Sequence, residues 1–385
     1  MDRTTEALHT RADDRDARPA VTPVYLTSGF EAGSPYFYSR KDNPNVAELE
    51  QATAALEGAR FGLAVSTGMA ALSVVLDRLE PGDTFCVGRD MYGCSFKLFQ
   101  RVSARRRLTL HAVDLTADEP AIPEGTRLVL FETPTNPFLK TVDIRRVSET
   151  ARRVRPDAVV VVDNTWASPI HQQPLDHGAD ISLHSATKFL SGHGDVMGGI
   201  LLTNREDLHE ELSQLRFYGG AVLDPHSAWL IRRSLQTLPI RMREHRAVTE
   251  RIRTFLSQQG EVARVYWPHV DGHQLQAYGG ILCFELQPEL AEHYGRFTSA
   301  LRLFDTGTAM ACVTSKVAQP YAGSHASMTD DEKRAMGLGP SVVRLCLGLE
   351  DPADLEADLA QAFAVVAATR PTCAAPPGPP RPPRS

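Results

Sequence analysis

The stretch Ser185-Ala186-Thr187-Lys188-Phe189-Leu190-Ser191-Gly192-His193-Gly194-Asp195 sets a lysine among small and hydroxylated residues, directly after the apolar run Asp180-Ile181-Ser182-Leu183-His184. The pattern predicts an amine at the end of a buried strand, beside the Ser185 and Thr187 hydroxyls, which can hold a phosphate. A low dielectric disfavours the charged form of an amine, so such a lysine gives up its proton readily and can form a Schiff base with a carbonyl. Two readings follow: a lysine that carries pyridoxal phosphate (PLP), or a surface lysine in a polar turn.

Outward from this stretch, strand-like runs recur at 61–66, 84–87, 108–112, 127–131, 158–162, 181–184 and 199–202, most of them separated by helical or turn segments. This alternation predicts an α/β architecture, a mostly parallel sheet of seven strands covered by helices on both faces. In such sheets a ligand lies at the carboxyl ends of the strands, which singles out Ser66, Glu132, Asp163 and the 185–188 turn. Asp163 follows four consecutive valines, the mark of a central strand buried on both faces. A carboxylate there needs a cation or several donors. A protonated pyridine nitrogen would serve, and so would the backbone of the next turn, Asn164-Thr165.

Ser66-Thr67-Gly68-Met69 joins a strand to a helix and presents free backbone N–H groups, an anion site or an ordinary turn. Tyr92, just beyond the second strand, offers a ring face for a planar cofactor and a phenol for proton relay, or else a core side chain. In the rigid turn Glu132-Thr133-Pro134-Thr135-Asn136-Pro137, the Asn136 amide can bond a ring oxygen. An N-cap at Asn45 with Glu48 three residues on predicts a helix ended by Gly58. Beyond Asn204 the chain turns helical at 208–215, 226–238 and 240–258. Strands at 262–267, 280–286 and 342–347 and a final helix over 352–367 then predict a second, smaller sheet. Arg344 falls inside the last apolar strand, either for a substrate carboxylate or for an internal ion pair.

The totals bound the remaining choices. The chain has 385 residues and a net charge of 41 − 47 = −6, without a basic block dense enough for nucleic acid; Arg105-Arg106-Arg107 reads as a solvated helix end. No run approaches membrane-spanning length, and the charged first residues are unlike a signal peptide. Six scattered cysteines without a Cys-x-x-Cys pair read as reduced thiols of a cytoplasmic protein, and neither they nor the histidines form a zinc pattern, so no metal is expected. Residues 1–18 read as mobile, and the Pro-rich tail 371–385 as disordered.

The motifs Tyr38-Ser39-Arg40, Ser66-Thr67-Gly68-Met69, Tyr92-Gly93, Glu132 to Pro137, Asp163-Asn164-Thr165, Ser185-Ala186-Thr187-Lys188, and Arg344 ahead of Gly348-Leu349-Glu350-Asp351 occur in an order that resembles the Cys/Met-metabolism family of PLP enzymes, over about residues 21–367. The resemblance implies the PLP-dependent transferase fold (fold type I), with an N-terminal arm (1–46), a large PLP-binding domain (47–238) and a smaller C-terminal α/β domain (239–370). It implies that Lys188 holds PLP, that Asp163 pairs with the pyridine nitrogen and that Tyr92 stacks on the ring. Gly68, Met69, Ser185 and Thr187 would hold the phosphate. Tyr38 and Arg40 would complete that site from a neighbouring subunit, in a homotetramer built as a dimer of dimers. Arg344 would bind the substrate α-carboxylate.

The implied reaction begins with removal of a proton from Cα by the freed Lys188. A second proton then moves at Cβ and a group leaves from Cγ, so γ-elimination on a γ-substituted L-amino acid is expected. The alternatives are γ-replacement on an activated homoserine ester and a catalytically idle PLP-fold binding protein. This chain also departs from the family's pattern. Arg216-Phe217 stands where the methionine γ-lyase branch carries Lys-Asp near the reactive cysteine, here Cys94. Thr308 and Ala309, placed by reading back from Pro320 and His325, open an altered Ala309-Met310-Ala311-Cys312 segment that admits a specialised substrate with a non-thiol leaving group.

Overall fold

The computed structural model describes residues 19–307 and 310–368. Seven strands form the first sheet: β1 (Phe61–Val65), β2 (Thr84–Gly88), β3 (Thr109–Val113), β4 (Thr126–Glu132), β5 (Val159–Asp163), β6 (Ile181–His184) and β7 (Gly199–Thr203). Their order is β1-β7-β6-β5-β4-β2-β3. Only β7 runs against its neighbours; the other six point the same way, as a mostly parallel sheet requires. The crossovers are helices, Gly68–Leu76, Gly93–Arg106 and Ile144–Val154 among them.

The β-branched run of β5 is buried on both faces. Val161 packs with Leu63, Leu130 and Leu183 on one side, and Val160 and Val162 with Val129 and Phe131 on the other. Each buried valine is worth about 1.5–3 kcal/mol. This double burial makes β5 the stiff centre of the sheet and fixes where its last residue, Asp163, stands. The carboxyl ends of β1, β2, β4, β5 and β6 all emerge at one edge, and that edge positions the site.

The helix that Gly58 closes begins earlier than its sequence predicts. Pro44 occupies its first turn and Asn43 is the N-cap, accepting from Asn45 N at 3.0 Å. Asn45 instead clamps the arm, taking Tyr25 N at 2.8 Å and donating to Pro23 O at 2.8 Å. The expected capping box at Asn45 and Glu48 is therefore corrected: proline at the first helical position places the cap one residue before itself.

Helices Glu206–Gly219, Pro225–Leu235 and Leu238–Leu256 lead to the second sheet. It has five strands, β8 (Val262–Tyr266), β9 (Ile281–Leu286), β10 (Asp305–Thr306), β11 (Lys316–Ala318) and β12 (Val342–Cys346), in the order β10-β11-β12-β9-β8. The short strands β10 and β11, of two and three residues, are too brief to show a period in the sequence. The final helix, Pro352–Ala367, covers this sheet through Leu355, Leu359 and Phe363. Arg241 of the long helix ties the two parts together, donating to Phe189 O at 2.7 Å just beyond Lys188. Among the described residues no helix is long and apolar enough to cross a membrane.

Candidate active site

β6 delivers the lysine turn to the carboxyl edge of the sheet, where Lys188 N bonds Ser185 O at 3.0 Å and Gly192 N bonds Lys188 O at 2.7 Å. Thr165 welds this turn to the end of β5. Its amide and hydroxyl donate to Asp163 Oδ1 at 3.0 and 2.5 Å, and the same hydroxyl accepts from Ser185 N at 2.8 Å. Asp163 Oδ2 has no hydrogen bond among the described residues. Burial pushes the Asp163 carboxyl above its usual range, and the Thr165 bonds, His184 and Lys188 oppose that rise. Burial also lowers the Lys188 ammonium, with Arg344 adding to the effect.

At the neighbouring strand end, Thr67 caps helix Gly68–Leu76 by accepting from Ala70 N at 3.0 Å. The amides of Gly68 and Met69 find no acceptor among the described residues, as the first turn of a helix leaves them. Gly68 itself lies against Ser185, with no room for a side chain between them. Across the cavity, Tyr92 N is held by Glu132 Oε1 at 2.8 Å. Burial raises the Tyr92 phenol to about 12, helped by its hydrogen bond with Cys94. Glu132 is pushed well above the carboxylate range by burial and by Asp163.

These residues line one cavity of about 430 Å³: Gly68, Met69, Tyr92, Asn136, Asp163, Ser185, Thr187 and Lys188, with Glu132, Trp166, Met197 and Met310 beside them. Thr187 is engaged with Gly198, accepting from its amide at 3.1 Å, whereas the Ser185 hydroxyl makes no hydrogen bond among the described residues. A second cavity of about 410 Å³ adjoins at Lys188 and Tyr92 and reaches Arg344, Ser324 and Tyr294. Arg344 is 1% exposed. It meets Ser324 Oγ at 3.2 Å and Asn136 Oδ1 at 3.5 Å, its Nε is buried without a partner, and no carboxylate pairs with it among the described residues. The internal ion pair that its sequence context allowed is thus not what holds it.

An amine lowered in basicity by burial, an opposed carboxylate and an anion-ready helix end thus meet at one cavity. Residues 4–364 match the family described as Cys/Met metabolism PLP-dependent enzyme. The chain belongs to that family. It is 36% identical to "Cystathionine beta-lyase" of Lactococcus lactis, covering 91% of this chain and 95% of the relative. With "L-methionine gamma-lyase" of Pseudomonas putida the identity is 37%, over 93% and 96% of the two chains. Among solved structures, cystathionine gamma synthase from Xanthomonas oryzae superposes with a TM-score of 0.85 at 36% identity, covering 91% and 94%. This is a family of enzymes of fold type I whose cofactor is PLP, and the idle reading falls away.

The residues present fit that cofactor. The free Gly68 and Met69 amides and the Ser185 hydroxyl suit a phosphate, Asp163 Oδ2 suits a ring N–H, and Lys188 stands in the same cavity. The family motif residues Tyr38 and Arg40 do not line this chain's own cavity. Tyr38 is 40% exposed on the arm, and Arg40 lies 4.3 Å over the Phe217 ring and donates to Phe217 O at 2.7 Å. Arg216, where the methionine γ-lyase branch carries the lysine of Lys-Asp, turns away to Glu50 at 2.6 Å, and Cys94 is exposed. Arg216 and Glu50 line a larger groove of about 730 Å³, which contains none of the expected site residues.

Thr308 and Ala309 lie outside the described residues, as do 1–18, the tail and Cys373. Just after them Ala311 takes φ 61°, a left-handed conformation that costs a residue with a Cβ more than a glycine. The sequence reading missed a buried contact behind the lysine strand: His184 Nε2 stands 2.6 Å from Glu57 Oε2, with both side chains enclosed. It also missed Trp166, whose ring lies 5.7 Å from the Arg344 guanidinium carbon. An acid at a helix end and a histidine at a strand end have no spacing signal that links them.

Proposed function

We propose that this chain is a PLP-dependent lyase that eliminates the γ-substituent of an L-amino acid. The observation that carries the proposal is Arg344: a buried guanidinium without a carboxylate partner among the described residues, lining the cavity that Lys188 also lines. A guanidinium kept in that state calls for a carboxylate from outside the chain, and the α-carboxylate of an amino acid supplies a fork-shaped match.

When bound, PLP supplies an electron sink that makes protons at Cα and then Cβ of the amino acid removable. The chain does the rest. Arg344 and Asn136 orient the α-carboxylate. Lys188, kept short of its usual basicity by burial, takes the Cα proton and serves the second transfer at Cβ. Asp163 Oδ2 would hold the proton on the ring nitrogen, and Thr165 fixes the carboxylate from behind. Tyr92 would present its ring face, and its phenol, raised by burial to about 12, keeps a proton to donate at neutral pH. Gly68, Met69, Ser185 and Thr187 would hold the phosphate. We further propose residues 47–238 as the cofactor-binding unit and 239–370 as the smaller one. Tyr38 and Arg40 are assigned to a neighbouring subunit's phosphate in a homotetramer of a cytoplasmic enzyme.

The test is a panel of γ-substituted L-amino acids supplied to the holoenzyme with and without added thiols. Accumulation of 2-oxo acid and ammonia supports the lyase. A new thioether amino acid formed at their expense supports γ-replacement instead, and turnover of neither kind overturns the proposal.

A further inference from the structure

Pro320 and His325 close a turn between β11 and helix Asp330–Ala335, with His325 N donating to Pro320 O at 3.0 Å, and the proposed reaction gives the histidine no task. His325 is 0% exposed, in a position where a polar ring is kept only with partners. Its Nε2 lies 3.1 Å from Met91 O and its Nδ1 2.9 Å from Ser324 Oγ. Beside this contact, a Cβ on Gly93 would lie 2.7 Å from Ser324 O and 2.9 Å from His325 Cα. The turn is thus seated directly on the segment that carries Tyr92.

The hydrogen-bond directions follow from the two ends of this chain of contacts. Met91 O is a carbonyl and can only accept, so the ring proton sits on Nε2. Burial, with Arg344 adding to the effect, lowers the His325 pKa to about 4 against the backbone of Met91, Asn136 and Pro320. At neutral pH the ring therefore has one proton, and the bare Nδ1 accepts from the Ser324 hydroxyl. With that proton committed, Ser324 Oγ presents lone pairs to the guanidinium, and Arg344 Nη1 donates to it at 3.2 Å. This is the shorter of the two side-chain bonds that Arg344 makes among the described residues; the other, to Asn136 Oδ1, stretches to 3.5 Å. A hydroxyl without an acceptor behind it is free to turn its proton toward the guanidinium and let the fork swing. An arginine fixed beforehand spares an incoming carboxylate the cost of ordering it.

We propose that His325 and Ser324 are positioning residues for substrate binding: His325 Nδ1 orients the Ser324 hydroxyl, and the oxygen so oriented fixes the Arg344 fork before the α-carboxylate arrives. The inference rests on the assignment of Arg344 to the α-carboxylate, and it adds what holds the arginine in place.

The probe is L-norleucine, an α-amino acid without a γ-leaving group, titrated into the holoenzyme and followed by cofactor absorbance so that binding is read apart from turnover. Ser324→Ala should raise its Kd by about tenfold or more, the worth of one charge-assisted hydrogen bond, and Ser324→Thr, which keeps the hydroxyl, should stay within about twofold. His325→Gln keeps a donor for Met91 O and withdraws the acceptor from the Nδ1 position. It should cost about as much as Ser324→Ala, and the double variant about as much as either alone, since both cut one chain of bonds. A wild-type Kd in Ser324→Ala while Arg344→Lys weakens binding overturns the inference and spares the Arg344 assignment; additive losses in the double variant overturn it too. If neither Ser324→Ala nor Arg344→Lys moves the Kd, the assignment fails and takes the inference with it. If His325→Gln does not fold, the histidine nitrogen NMR spectrum of the wild type decides: one unprotonated Nδ1 resonance must move in Ser324→Ala, and the absence of such a resonance overturns the role of His325.

Discussion

Gly68 stands so close to Ser185 that a Cβ on residue 68 would lie 2.8 Å from the Ser185 Cβ and 3.0 Å from its hydroxyl. The helix end that offers free amides and the lysine turn that offers a free hydroxyl are therefore pressed into one surface, and only a residue without a side chain permits it. Gly68→Ala must push the two apart. We expect a loss of stability of about 1–3 kcal/mol from overpacking and PLP binding weakened by about tenfold or more, because the anion loses donors on one side. Thermal unfolding of the apoprotein and fluorescence titration with PLP measure the two effects separately. Unchanged cofactor affinity would remove Gly68 from the phosphate site.

Lys188 and Asp163 reach one cavity from adjacent strands joined through Thr165, yet they do different work. Lys188→Ala removes the amine that moves protons and should abolish turnover, and borohydride should no longer fix cofactor to the chain. Asp163→Ala keeps the amine but loses the carboxylate for the ring nitrogen, so cofactor should still be trapped while turnover falls on the order of a hundredfold or more. Absorbance of the reduced protein and steady-state rates check both; full activity in either variant would overturn the assigned roles.

Most of this site was legible because its parts sit where local pattern and sheet position agree. The four valines before Asp163 and the apolar run before Lys188 place both at strand ends without any knowledge of their contacts. Pairings formed by chain segments far apart left no such mark. Glu57 and His184 are 127 residues apart and meet only when the first helix packs on the sheet. Arg344 was visible as a charge in an apolar strand, but its lack of a carboxylate partner belongs to the packed structure. The cap at Asn43 was misplaced by two residues because Asn43 and Asn45 both suit a cap, and the proline between them decides.

Arg344 offers the sharpest test of substrate binding. Arg344→Lys preserves a positive charge but not the planar fork, and the two groups are not equivalent at a bidentate site. We expect kcat/KM to fall by about 30- to 150-fold, equivalent to about 2–3 kcal/mol for a charge-assisted pair, chiefly through KM. Steady-state kinetics on the best substrate of the panel decides it. A fall confined to kcat would place Arg344 on the reacting groups rather than on the α-carboxylate.

Glu57 and His184 are both 1% exposed, and their contact at 2.6 Å lies one residue before the lysine turn. Removing one partner strands the other in the interior. Glu57→Ala should cost about 3 kcal/mol or more, whereas Glu57→Gln, which keeps an acceptor for the imidazole, should cost about 1 kcal/mol. Urea midpoints of the two apoproteins measure the difference. Equal midpoints would mean that the charge, not the hydrogen bond, carries the contact.

His245 gives the chain a pH-dependent contact between the long helix and the end of β12. Its Nδ1 donates to Leu347 O at 2.8 Å, its Nε2 is buried without a partner, and burial, with Arg241 adding repulsion, lowers its pKa to about 4. The fold therefore holds the neutral imidazole, while the unfolded chain takes up a proton near 6.5. The contribution of His245 is fully present above that pH and is lost as pH falls towards 4, because the unfolded state then binds the extra proton. Buried Glu132 and Asp163 work in the opposite sense over part of this window, so the diagnostic quantity is the difference from a variant. His245→Asn keeps a donor for Leu347 O and removes the titration. The stability of the wild type relative to His245→Asn should decline by up to about 1.4 kcal/mol per pH unit between about 6.5 and 4, read from urea melts across that range. A difference that stays flat with pH would show that His245 accepts its proton in the folded chain as readily as in the unfolded one.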